Sequence, residues 1–514
     1  MKKIYNKLPL FILLALSLQG CAKLDQEPYV DLSDEKAYLN VEDAQYWVNG
    51  MYRALRDNTY GNAMISTDIQ ADFLNAVRRD NEKLPNLHRW TNFTSSDETT
   101  AAIWLAHFKA IHDINLSLRR IPTIPIEKDR EEVQKKQIKR NMGELYLGRA
   151  YFYTYLVTHF CGAYDASSAY GLPILREPKV ADFPAPSSLK ETYEFILSDI
   201  ALAEEYLSDT AGEVGSTTFT VDAAKALKAR VLLYQGEWAT AYQTAKALID
   251  AGTYPLATSS ATLKNIWAED ATAESIVQIY AAAGSTGNVS IVNELPKAND
   301  IYIGANNFDR RLRRFLYNPS YIPTQSFVDL FDTADYRKSI YFQKLFVDYG
   351  NTVYSNIYLV TKYPDNSNLK SNPSGLPTYM HKPKLFRIAE QYLIAAEAAY
   401  RNGDEANALV YLNRLRASRG LTTALTATGD ALLTEIQNER NRELAFEGFR
   451  LHDIKRWGLG VVRGTPQNTD AIFTSPANEY HQLNISTGYY KMTWPIPATD
   501  ITYEKGKWKQ NPGW

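Results

Sequence analysis

Apolar residues recur at three- and four-residue spacing over Asp43–Leu55, Thr99–Ile121, Glu131–Thr158, Leu189–Leu207, Val221–Ala251, Leu385–Arg401, Glu405–Arg419 and Ala431–Arg456. That period places one face of a helix against a core, so the chain reads as mainly α. Asp222, Asp404 and Asp430 stand where helices can begin, because their carboxylates accept from the free amides of a first turn. Two stretches repeat each other, around Gly236 and around Gly403. In each, an alanine (Ala229, Ala396) lies seven residues before the glycine, an acid (Glu237, Asp404) follows it, and an alanine (Ala241, Ala408) lies five after it. The glycine ends one helix in a left-handed conformation, the acid opens the next, and the alanines let the pair approach closely. This spacing is like that of a tetratricopeptide unit and predicts helix pairs stacked as a curved scaffold.

The pattern changes between Tyr254 and Lys384. Turn residues recur there (Asn306-Asn307, Asn318-Pro319, Tyr363-Pro364, Asn372-Pro373, Gly375, Pro377), and β-branched or aromatic runs such as Ile357–Thr361 are short. The expectation is a single body over residues 41–514. Its helical repeats lie mainly in 41–251 and 385–458, and a loop-rich insertion of short strands and short helices lies at about 254–384. Loops mounted on a rigid scaffold are common places for binding.

The start of the chain reads as an address. Lys2, Lys3 and Lys7 precede an apolar stretch from Leu8 to Leu18, which is too short to span a bilayer as a helix and has the form of a secretion signal. It ends Leu18-Gln19-Gly20-Cys21, which resembles a bacterial lipobox. Residues 1–20 are then a lipoprotein signal peptide, Cys21 the lipidated residue, and 21–40 a polar tether. Asp25 and Glu27 in that tether resemble the surface-export signal of Bacteroidetes lipoproteins. Beyond Leu18 no apolar run is long enough to cross a membrane.

Composition narrows the function. Lys and Arg number 56 and Asp and Glu 58, a net charge of −2 that gives no support for nucleic acid as a partner. Two cysteines in 514 residues exclude a disulfide scaffold and a multi-cysteine metal site. Cys161, beside the apolar Val157–Phe160 stretch, reads as a small packing residue. Aromatic residues are abundant, with 35 Tyr, 19 Phe and 9 Trp. Part of that surplus falls in helices such as Tyr151–Tyr155, where it packs repeats together. The part in the loop-rich insertion is available for ligand stacking.

Catalytic patterns are absent. The chain has no Gly-x-x-x-x-Gly-Lys, Gly-x-Gly-x-x-Gly, Gly-x-Ser-x-Gly, His-Glu-x-x-His or Cys-x-x-Cys. The seven histidines are scattered, and His107 and His112, five apart, do not face one metal on a helix. Neither a metal nor a cofactor is expected. Glu435, Glu439, Glu443 and Glu447 form a row spaced by four. The row can be read as an acid/base pair for glycoside hydrolysis. It can also be read as an Arg–Glu network with Arg440, Arg442 and Arg450. The second reading is preferred, because a cation beside each acid pins it as ionised rather than tuning it as a proton donor.

Several long motifs, in order, resemble the SusD/RagB nutrient-uptake lipoproteins. They are Leu145–Tyr153, Arg387–Ala398 followed by Ala408–Arg416, and Asn438–Gly458 with its Arg442-Glu443, Phe446-Glu447-Gly448, Asp453 and Lys455-Arg456-Trp457-Gly458. The terminal signature Trp494–Pro497 … Gln510–Trp514 completes the set. The resemblance implies an outer-membrane surface lipoprotein with four tetratricopeptide-like units and an irregular binding half. Such a protein pairs with a SusC-like TonB-dependent transporter and captures oligosaccharides, or peptides in some branches, without chemistry. A glycoside hydrolase is the less favoured alternative. Glycan-binding members carry an aromatic arc with an early Asp, Arg and Asn. The matching positions here are Asp68, Arg78, Trp90 and Asn92, with Trp267, Tyr302, Phe308, Tyr317 and Tyr321 as candidates for the rest of the arc. Sugar rings stack their apolar faces on aromatic rings, while their hydroxyls need polar partners. The early segment holds no Trp-x-Trp cluster, which speaks against a starch-like specificity.

Overall fold

A computed structural model describes residues 37–77, 83–178, 183–283, 302–303, 307–349, 352–375, 377–472, 482–504 and 506–514. The expected signal peptide, Cys21 and Arg78 lie outside these residues. The scaffold consists of helices Val41–Thr59, Glu98–Arg120, Glu131–Phe160, Leu189–Tyr206, Val221–Gln235, Trp238–Asp250, Ile388–Arg401, Glu405–Ser418 and Gly429–Glu443. From Glu98–Arg120 onward each packs on the next. The series continues across the insertion, because Trp238–Asp250 lies directly against Ile388–Arg401.

Local sequence sets these boundaries. Asn40 and Asp43 cap the first helix reciprocally, as do Ser188 and Glu191 at Leu189–Tyr206. Gly236 closes its helix at φ +82°, and its amide reaches back to the last turn. The repeat alanines Ala229, Ala241, Ala396 and Ala408 are all buried at the seams.

Two segments depart from the periodicity. Leu385 to Arg387 is a strand, Lys384–Arg387, paired antiparallel with Ser275–Gln278. The long expected helix Ala431–Arg456 breaks after Glu443 and resumes as Arg450–Arg456. Phe446 (φ +62°) and Gly448 (φ +80°) make the break. It lets Phe446 enter a second core while Arg450 turns to pair with Asp72 at 2.6 Å.

That second core joins the helix Asn62–Gln70 to the insertion and its helix Ser260–Ala268, with Trp267, Tyr302, Tyr321, Phe327, Tyr341, Phe342, Tyr363 and Phe446 inside it. The insertion carries short antiparallel pairs. Leu74–Ala76 pairs with Tyr321–Pro323, Asn307–Asp309 with Arg314–Leu316, and Phe342–Tyr349 with Thr352–Val360. A buried ionic seam fastens the insertion to the scaffold. Arg337 bonds Asp335, Glu439 and Glu443; Arg419 bonds Glu274 and Glu443; Arg387 bonds Glu443 and Glu447; Lys362 bonds Glu447. Buried charges persist only when paired in this way.

Candidate functional site

The carboxylate row is the first candidate to test. Glu439 accepts from Arg337 at 2.6 Å and from Arg442 at 2.8 Å. Against the cost of burial these cations hold its carboxyl down at about 2. Glu443, between Arg419, Arg387 and Arg337, is held well below the carboxylate range, and Glu447 is lowered by Arg387 and Lys362. A glycosidase needs one carboxyl that keeps its proton near neutrality. These three are fixed as anions inside the protein, so the row is a structural network. Among the described residues, no group of three or more His, Cys, Asp or Glu could hold a metal ion.

The predicted binding residues divide by burial. Trp267 is 1% exposed, with Lys362 at 4.0 Å and Arg387 at 5.0 Å from its ring. It is the apolar wall of the ionic seam. Tyr302 is fully buried beside Asp68, itself buried on the Asn62–Gln70 helix. Burial pushes both groups well above their ordinary values. Tyr321 is buried, lies tilted against His88 with ring centroids 5.0 Å apart and donates its hydroxyl to the Lys83 carbonyl. Trp90 is buried and donates Nε1–H to the Gln70 carbonyl at 3.1 Å. An exposed arc made of Trp90, Trp267, Tyr302 and Tyr321 is therefore corrected. These rings are large apolar bodies with a polar tip, and the fold uses them to close the second core; Trp90 and Tyr321 donate from their tips to backbone carbonyls, and Tyr302 lies beside Asp68.

Three of the predicted residues remain at the surface. Asn92 is exposed in a left-handed turn (φ +53°). Phe308 is 53% exposed, and Tyr317 is half-buried nearby in the same segment. Phe308 lies opposite Phe315 in the hairpin register, their ring centroids 5.3 Å apart, and Phe315 is 50% exposed. Exposed phenylalanine pairs cost solvation, and no described neighbour covers these two. The hairpin is not loose. Tyr317 N–H donates to the Phe346 carbonyl and its own carbonyl accepts from Asp348 N–H, both at 2.8 Å, which fixes the hairpin base to the Phe342–Tyr349 strand. The Arg314 guanidinium lies 4.1 Å above the Phe346 ring. Phe315, Arg314 and Phe346 escaped the sequence reading. The available signal was the mirror placement of Phe308-Asp309 and Arg314-Phe315 about a four-residue turn.

A groove of about 360 Å³ lies elsewhere, along the Glu98–Arg120 helix, lined by Trp104, Leu105, Phe108, Pro173, Leu175 and Phe183 among others. Its lining is mainly apolar and also includes Lys109, His112, Asp113 and Asp500. The hairpin differs in presenting its rings and its hydrogen-bond donors to solvent.

Residues 348–514 match a family model described as the SusD family, and residues 24–233 match one described as starch-binding associating with outer membrane. SusD-like protein P2 of Formosa agariphila is 22% identical over 534 aligned positions, covering 98% of this chain and 99% of that protein. A SusD superfamily protein from Bacteroides thetaiotaomicron superposes with a TM-score of 0.76 at 23% identity, over 92% of this chain and 100% of that one. A SusD-like carbohydrate binding protein from Bacteroides vulgatus gives 0.73 at 21% identity, over 91% and 97%. Among the described residues no helix is long and apolar enough to cross a membrane.

Proposed function

The chain belongs to the SusD/RagB family, and from that premise we propose that it is a surface-exposed lipoprotein anchored through Cys21. It captures oligosaccharides and delivers them to a SusC-like TonB-dependent transporter in the outer membrane, and it is not an enzyme. The observation that carries the reading is the exposed Phe308–Phe315 pair held on a braced hairpin beside Tyr317. Solvent-facing rings on a fixed base, inclined at 67° to each other, give two apolar faces on which pyranose rings can stack without a folding penalty at binding. Asn92 is the polar contact we assign from the early segment. The relatives support the glycan class: one family model is described as starch-binding, and the Bacteroides vulgatus relative is called carbohydrate binding. The pinned Glu439, Glu443 and Glu447 argue against hydrolysis.

The test is an array of glycans and peptides probed with the full chain purified in detergent. Glycan capture that is lost in Phe308→Ala/Phe315→Ala, with an unchanged melting temperature, is the expected result. Binding of peptides and of no glycan would move the protein to the peptide-binding branch. Turnover of an oligosaccharide, abolished by Glu443→Gln in a folded protein, would overturn the reading outright.

A further inference from the structure

The hairpin that carries Phe308 and Phe315 also carries an unusual charge. Its ten residues, 307–316, include Arg310, Arg311, Arg313 and Arg314 against a single acid, Asp309, in a chain whose net charge is −2. All four arginines are exposed. Among the described residues none of the four is paired with a carboxylate, in contrast to the arginines of the buried seam. Asp309 does not neutralise them. Its Oδ1 accepts from the backbone amides of Arg311 (2.8 Å) and Leu312 (2.9 Å) and closes the turn. Arg314 is held in place by its stack on Phe346 and by donating Nε–H to the Leu312 carbonyl at 3.0 Å, which leaves its two terminal nitrogens for a ligand.

Like charges concentrated on one turn repel, and nothing in the fold of the hairpin requires them. Arginine presents a planar fork of donors that matches a carboxylate or a sulfate in two parallel hydrogen bonds. Phe308 and Phe315 share one face of the hairpin, Arg314 lies on the other over Phe346, and Arg310, Arg311 and Arg313 lie in the turn between the strands, so the turn carries its forks at the end of the ring pair and suits a ligand with apolar faces and anionic groups on one repeating chain. Resting on the glycan-capture reading above, we infer that the protein selects acidic oligosaccharides, bearing uronate carboxylates or sulfate esters. The sugar faces stack on Phe308 and Phe315, and the anionic groups are met by the turn arginines Arg310, Arg311 and Arg313.

Calorimetric titration of the full chain in detergent tests this with four probes: an oligogalacturonate (carboxylate only), a carrageenan oligosaccharide (sulfate only), a neutral laminari-oligosaccharide and a neutral cello-oligosaccharide. An acidic probe should bind at least about tenfold more tightly than either neutral one and weaken as salt is raised. Which acidic probe leads identifies the anionic group. Arg310→Gln/Arg311→Gln/Arg313→Gln should cost about tenfold or more on the acidic probe and leave the melting temperature in place. The corresponding triple lysine variant, which keeps the charge and loses the fork, should fall between them. Equal binding of neutral and acidic probes, or an unchanged affinity in the triple glutamine variant, would overturn the acidic selectivity. So would equal affinity for single-stranded DNA or phosphatidylglycerol vesicles, since a bare polyanion surface needs no sugar. Neutral binding that depends on Phe308 and Phe315 alone would sink this inference and leave glycan capture standing; binding to no glycan would sink both.

Discussion

Replacing His107 with phenylalanine should make the protein more tolerant of acid while leaving its stability near neutrality almost unchanged. His107 is fully buried on the Glu98–Arg120 helix, stacked on Tyr155 with ring centroids 4.1 Å apart and edge-on to Phe152 at 5.5 Å. Its Nδ1–H donates to the Ile103 carbonyl at 2.7 Å, and its Nε2 is buried with no hydrogen-bond partner among the described residues. Burial lowers its pKa from 6.5 to about 4. The fold therefore holds the neutral imidazole, and the unfolded chain binds a proton first. Stability from this group is present above the unfolded value and is lost as pH falls from 6.5 toward 4. At about pH 5 the unfolded chain gains about 1.5 pH units of protonation advantage, or roughly 2 kcal/mol. Phenylalanine keeps the ring packing and cannot take the proton. The Ile103 carbonyl retains the intrahelical bond from the amide four residues on. Urea unfolding of wild type and His107→Phe at about pH 7.5 and about pH 5 reads the effect as a difference of differences. His159 and His452 are shifted down in the same direction and remain in both proteins, so they largely cancel. If both proteins lose the same stability on acidification, the proton is not excluded from His107 and the reasoning fails.

Glu443→Gln removes the anion shared by Arg337, Arg387 and Arg419 and leaves buried guanidinium groups short of charge; a loss of about 3–5 kcal/mol in denaturant unfolding is expected. Gly448→Ala places a Cβ at 3.2 Å from the Met64 side chain and 3.3 Å from its carbonyl in a backbone at φ +80°, so it should cost about 1–2 kcal/mol, read as a lowered melting temperature. Phe308→Ala/Phe315→Ala should change stability by less than about 0.5 kcal/mol because both rings face solvent, while abolishing glycan retention on affinity gels. Cys21→Ser should move the protein from the membrane fraction to the soluble fraction of cells, read by immunoblotting after fractionation.

The scaffold was legible because helices announce themselves by period and by caps. Gly236 and Gly403 marked helix ends, and the alanines around them marked the seams. The break inside 431–456 was not legible, since Leu444, Ala445 and Phe446 keep the helical spacing. What ends the helix there is tertiary: Phe446 is needed in a core built largely from the distant insertion. The site was legible only in part for the same reason. Residue type identified Trp90, Trp267, Tyr302 and Tyr321 as rings suited to sugars, yet burial decides whether a ring is a platform or a wall. Burial in a loop-rich insertion depends on contacts far apart in sequence, as when Trp267 meets Lys362 and Arg387. Phe308 stands out because its short two-stranded hairpin leaves it 53% exposed among the described residues.

The same pairing of arginine with an aromatic ring does opposite work in the two places. In the seam, Arg387 lies over Trp267 and is neutralised by Glu443 and Glu447, so both ring and cation are spent on holding the insertion to the scaffold. At the hairpin, Arg314 lies over Phe346, but no carboxylate among the described residues completes the pair. A cation stacked on a ring and left without its anion keeps its bidentate donors unspent, and exposure keeps the cost of waiting small. The protein's interior thus shows what its surface lacks. The unspent donors at residues 307–316 fit an oxyanion, and that fit, with the Phe308 and Phe315 faces at the end of the same turn, is the ground of the inferred acidic selectivity.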